Sequence, residues 1–319
     1  MILHSIRHFV LLFLLFFGVN LKSQNYFPYY ESYNNIEEII VKEEFQKADS
    51  LFEKLFIDYE PPFANHVLVA LQISILAENY EHSKELFEKA IIKGVQLHCL
   101  KEIGVIEKVP NKIMSYIELN YYKLRQQYIN NIDTALRKII YIRYKYEQAN
   151  KRDQNLKYGI FEKNTLLLKE FCNEKGYFPG EKHIGINGSI DLYAVDNCHI
   201  ESTYAHMTLL HYSCPFSTLE EELYEALKRG EIYPRVFGRI YNYEKYCKIK
   251  SKGRYANPYF YTKQLPKYDF NLFAYRFRNS DIDKVNADRK RFGIGKYEND
   301  AKIKKIEEKY NIRIRFVKG

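Results

Sequence analysis

Apolar and polar positions alternate with a helical period over most of the chain. ANHVLVALQISILAENY places Val67, Ala70, Leu71 and Ile75 three and four apart, which is one face of a helix. FQKADSLFEKLF, from Phe45, and YEHSKELFEKAI, from Tyr80, share a block LFEK at Leu51 and again at Leu86, an offset of 35. After Pro110, NKIMSYIELNYYKLRQQY and IDTALRKIIYIRYKYEQAN predict two further helices, and TLLLKEFCNEKG predicts one stopped by Gly176. The period changes in HIGINGSIDLYAV, where apolar alternation around Asn187-Gly188 predicts a hairpin. HIESTYAHMTLLHYSC predicts a helix ended by Pro215. STLEEELYEALKRG predicts another, with a capping box of Ser217 and Glu220 and a stop at Gly230. NPYFYTKQL and FNLFAYRF suit paired strands, SDIDKVNADRKRFG a last helix, and RIRFV a short strand. The expected fold class is therefore mainly α (α+β): helical hairpins first, then a mostly helical C-terminal domain with short β hairpins.

The offset of 35 is close to the ~34-residue period of tetratricopeptide repeats. ALQISILAENYEHSKELFEKAI resembles such a repeat in its small residue, its Tyr and its late Ala, and the likeness covers about Asn35 to Gly94. Ser83 stands where the family usually has Ala, so an irregular α-hairpin array is the alternative. Stacked hairpins bury their apolar faces only against neighbours. Their surface suits a protein or peptide partner, or packing against the other half of the chain. The expected division is a signal peptide at 1–23, an exposed linker at 24–34, a repeat domain at 35–130 and an α+β domain at 131–319. No Gly/Ser-rich linker separates the halves, so direct packing between them is expected.

The first residues, MILHSIRHFVLLFLLFFGVNLKSQ, carry Arg7 and then an apolar run of eleven from Phe9 to Val19. That run is short for a bilayer span, which takes ~20 residues, and fits a secretory signal cleaved after Ser23. The expectation is an exported protein, periplasmic or secreted, with no transmembrane span after cleavage. An uncleaved inner-membrane anchor is the alternative, because Leu21 is large for its position. Removing Arg7 and Lys22 takes the formal charge from +9 to +7. Basic clusters at Lys248–Arg254, Arg289–Lys296 and the tail suit solvated surface or an anionic envelope component. Nucleic acid is not an expected partner of an exported chain. Five cysteines leave at least one unpaired and form no CxxC; a single bridge such as Cys198 with Cys214 fits a core of this size.

His206, His211 and Cys214 raise the question of a metal. Five residues separate the two histidines, roughly 140° around a helix, so they do not converge, and two ligands do not make a zinc site. No metal and no cofactor is expected. His211, after Leu209-Leu210, sits at the edge of an apolar face, either as a core histidine or as a proton-transfer group; His206 is expected to be exposed. Ile282, Val285 and Arg289 share a helical face, so a guanidinium should point inward and need a carboxylate or an anionic ligand. Asp153 and Asp283 are the candidate carboxylates. Phosphate-loop, serine-hydrolase and HExxH patterns are absent from the sequence.

From about Ala135 to Tyr310 the order of motifs resembles an uncharacterised bacterial domain family. The likeness rests on Asp153-Gln154, Asn164, GYFPG (Gly176 to Gly180), Leu209 to His211, Ala226 to Ile232 and NADRKRFGI from Asn286. Tyr158 replaces an Arg common in that family, and YANPY from Tyr255 replaces a YGT-like segment. The resemblance implies that Asp153, His211 and Arg289 converge, with Asn164, Asp283 and Tyr255 as ligand-binding groups. Two functions are expected from these residues. One is an exported binding or interaction protein on a helical scaffold. The other is a hydrolase or transferase in which His211 is acid/base, Asp153 orients it and Arg289 holds an anionic substrate.

Overall fold

The computed structural model describes residues 24–153, 156–186, 198, 203–212, 214–243 and 282–315. Among them are fifteen α-helices and no strand. The N-terminal elements are α1 (Phe27–Val41), α2 (Phe45–Asp58), α3 (Ala64–Leu76), α4 (Tyr80–Ile92), the short α5 (Leu97–Lys101) and α6 (Asn111–Asn131). Then come α7 (Thr134–Asn150), α8 (Lys157–Lys175), α9 (Glu181–Ile184), α10 (Tyr204–His211), α11 (Pro215–Thr218), α12 (Glu220–Lys228) and α13 (Pro234–Tyr243). After 282 follow α14 (Ile282–Arg291) and α15 (Tyr297–Tyr310).

The 35-residue offset is visible in the backbone. Glu43 (φ 61°) and Glu78 (φ 60°) turn α1 into α2 and α3 into α4 through the same left-handed conformation. Ala48 and Ser83 are both fully buried, as are Phe52 and Phe87. Each buried ring contributes on the order of 2–3 kcal/mol. Ser83 keeps its hydroxyl satisfied by donating to Asn79 O at 2.8 Å. The hairpins α1–α2 and α3–α4 stack, and α6 packs on α4.

The second half builds on α7 and α8, against which α10 packs; α10 also meets α13. Its last segment returns to the first helices. Gln72 on α3 donates to Arg313 O at 2.8 Å and accepts from Arg313 N at 2.7 Å. Tyr310 meets Phe45 edge-on at 4.9 Å, and Glu43 accepts from Lys309 and Tyr310. One apolar core therefore runs from Tyr26 to Ile314 through both halves.

Several expectations need correction. Residues 24–34 are not an exposed linker: α1 begins at Phe27, and Tyr29, Tyr30 and Tyr33 are buried in the core. The helix after Pro215 has Leu219 as its N-cap with no side-chain cap bond, because Ser217 belongs to the separate turn α11. The helix at Ile282 is not the last, since α15 follows it, and residues 313–315 of RIRFV are not a strand. The hairpin at Asn187-Gly188 and the strands expected in NPYFYTKQL and FNLFAYRF lie outside the described residues. Cys198 pairs with Cys99, not Cys214, at an S–S distance of 2.10 Å; Cys214 is also disulfide-bonded. Buried Cys172 is free, and burial pushes its thiol up to about 12. No helix among the described residues is long and apolar enough to cross a membrane.

Candidate functional site

The polar centre of the second half forms where α7, α8 and α10 meet. Leu136, Ile140, Tyr144 and Glu147 recur at spacings of three and four along α7, so the face that packs inward ends in a carboxylate. Glu147 is fully buried. Its Oε1 is hydrogen-bonded to His211 Nδ1, and its Oε2 accepts from Asn164 Nδ2 at 3.0 Å. A buried carboxylate needs such partners to remain in the core.

His211 is the last residue of α10 and keeps 26% of its side chain exposed. The rings of Phe161 (5.6 Å) and Tyr144 (6.1 Å, interplanar 15°) flank it. Gln148 Nε2 lies 3.4 Å from Nδ1 and 3.5 Å from Nε2. With Nδ1 committed to the carboxylate, Nε2 is the nitrogen placed to exchange a proton.

Beside this centre is a cavity of about 130 Å³. Leu136, Ile139, Ile140, Leu167, Leu168 and Phe171 make its apolar wall, and Asn164, Thr208 and Arg143 supply its polar groups. Asn164 thus belongs to both the cavity and the Glu147–His211 pair. Thr208 stands three residues before His211 on α10, hence on the same face. Among the described residues Arg143 has no ion-pair partner.

The other expected site residues lie apart. Asp153 is exposed at the start of α8, where its Oδ1 accepts from Leu156 N at 3.3 Å; the carboxylate on His211 is Glu147. Gln154 and Tyr255 lie outside the described residues. Asp283 is exposed on α14, beside a groove of about 660 Å³ that it shares with Asn34, Asn35 and Asn286. His206, expected to be exposed, is buried. It forms a reciprocal capping box with Thr203 and stacks on Phe178 at 5.3 Å, and burial lowers its pKa to about 3.

Arg289 is completely buried, and its guanidinium is clamped by Asp300 at 2.9–3.1 Å with Nε donating to Gly295 O at 2.6 Å. Arg235 (3.0 Å) and Arg315 (3.3 Å) bind the same carboxylate, and Arg315 also binds Glu37. Burial pushes the Asp300 carboxyl up, but Arg235, Arg315 and Arg289 together outweigh it and hold it far below the usual carboxylate range. Arg289 is held from α15 and the turn before it, whereas His211 is held from α7 and α8.

His98, Cys99 and Cys198 also bring potential metal-ligating atoms within 4.8 Å of one another, but the two sulfurs are joined in the disulfide. No family model, no curated protein and no solved structure matches this chain.

Proposed function

We propose that the protein is an exported binding protein whose helical scaffold presents the cavity between α7, α8 and α10 to a small ligand. The ligand class that fits is an apolar chain ending in an anionic group. One observation carries this: an apolar cavity has an uncommitted guanidinium, Arg143, and the Asn164 amide among its lining groups. Apolar walls with a few convergent polar groups are the usual make-up of a small-molecule site. The apolar leader of the sequence and the Cys99–Cys198 disulfide support the exported setting. Titration calorimetry with decanoate tests the reading. Binding is expected for the unaltered chain, with loss in Leu168→Trp, which fills the cavity, and weakening of about tenfold in Arg143→Met. No heat of binding, or equal binding by Leu168→Trp, refutes it.

A second reading, hydrolase or transferase, is favoured by the Glu147–His211 pair. In it His211 Nε2 removes a proton from an attacking water and returns it to the leaving group, while Glu147 in place of Asp153 holds the ring. Arg289 has no part in it, being engaged by Asp300. The expected result is slow hydrolysis of p-nitrophenyl decanoate that disappears in His211→Gln while decanoate still binds. Equal rates in both proteins remove the reading.

A further inference from the structure

We propose that the outer face of α7 docks on an anionic lipid surface. Ile139, Ile142 and Tyr146 fall three and four residues apart, on one face of the helix, and are 53%, 54% and 59% exposed. Large apolar groups in such a row are costly to leave in water, and they mark a contact surface. Lys138, Arg143 and Lys145 are exposed on the same helix. The only carboxylate within α7, Glu147, is turned inward and fully buried. The outward side of this helix therefore offers apolar groups and positive charge with no intrahelical negative charge to offset them.

That combination selects the occupant. A surface of cations interleaved with Ile and Tyr matches a leaflet of anionic headgroups over hydrocarbon, with the tyrosine at headgroup depth. The formal charge, +9 for the whole chain and +7 without Arg7 and Lys22, adds long-range attraction of the same sign. Ile139 and Arg143 also line the cavity, so the docking face and the ligand cavity are continuous. A chain leaving the leaflet could pass from one to the other without crossing open water. The inference thus deepens the exported-binding reading by naming where the ligand is collected, and it rests on that reading for its setting.

Co-sedimentation of the full chain with vesicles tests it, using phosphatidylcholine alone and phosphatidylcholine with about one third phosphatidylglycerol. Two variants avoid the ligand-holding groups: Ile142→Ser/Tyr146→Ser removes apolar contacts, and Lys138→Gln/Lys145→Gln removes charge. The N-terminal apolar segment is common to all proteins, so differences between them report on α7. Expected are preference for the anionic vesicles, a loss of about tenfold in the Ser pair and roughly thirtyfold in the Gln pair. Retained decanoate binding in either variant supports a docking role separate from the cavity. Equal partition of the variants and the unaltered chain overturns the proposal, as does equal binding to neutral vesicles. Self-association of the unaltered chain that the Ser pair abolishes, measured by sedimentation equilibrium, also overturns it by making the face an interface between copies. If decanoate fails to bind anywhere while vesicle binding follows the expected order, the cavity reading falls and the docking face stands.

Discussion

Two inward-facing carboxylates of this protein, the half-buried Asp300 and the fully buried Glu147, have opposite surroundings. Asp300 is gripped by Arg289, Arg235 and Arg315, and the guanidinium of Arg289 has no exposed surface. Glu147 is held by one amide and by one histidine that still reaches solvent. The first arrangement uses its charges to join α13, α14, α15 and the last described segment, and through Glu37 it reaches α1. The second leaves a titratable nitrogen at the surface next to a cavity. The difference lies in the partners: guanidinium groups at most 11% exposed around Asp300, and a histidine 26% exposed beside Glu147.

The comparison breaks most sharply at Asp300. Asp300→Asn removes the carboxylate that three guanidinium groups share, and it is expected to destabilise the fold by about 3–5 kcal/mol in urea denaturation. A loss under about 1 kcal/mol would show the cluster to be incidental to the fold.

Glu181 sharpens the contrast from another side, because it is a half-buried carboxyl with no guanidinium bound to it among the described residues. Burial raises it to about 8 from an ordinary 4.5, against the opposing hydrogen bond from Ala64 N. Between those values the folded state holds a proton that the unfolded state has released, so stability should fall as pH rises, by up to about 1.4 kcal/mol per pH unit. Glu181→Gln should remove that slope, melting higher than the unaltered chain at pH 8 and close to it at pH 4. His206, lowered to about 3, contributes with the opposite sign: its stability is lost as pH falls below 6.5. Identical pH profiles for Glu181→Gln and the unaltered chain would be the contrary result.

The smallest effect is expected at Asn164. Asn164→Leu keeps the branched shape of the side chain but removes the amide that holds Glu147, at about 1–2 kcal/mol. In the same variant the decanoate affinity should fall, because the amide also lines the cavity. An unchanged affinity would separate the cavity from the Glu147–His211 pair.

Much of the helical plan was legible in the residues. The shared LFEK block led to the matched core positions Phe52 and Phe87, and Gly176 does close α8 with φ 75°. His211 could be singled out because it is polar at the edge of an apolar stretch, and Asn164 only through the family resemblance. Glu147 was not, although it satisfies the test applied to Arg289: it continues the Leu136–Ile140 stripe of α7. It was hidden by IRYKYEQAN, where surrounding charges make the whole segment look solvated. Asp300 was unreadable for a different reason. Its partners Arg235, Arg289 and Arg315 are brought together by packing among four separate segments, and local spacing carries no trace of that. The same limit explains the wrong cysteine pair, since Cys99 and Cys198 are 99 residues apart.

The reciprocal bonds between Gln72 and Arg313 link residues 241 apart. A seam of that span cannot close until both of its distant partners have been made and folded to within reach of each other. The first hairpins must wait, incompletely covered, until the far segment arrives, and loop closure over such a distance is slow. The joint therefore acts as a latch: the first hairpins gain this cover only once Arg313 has come back to Gln72.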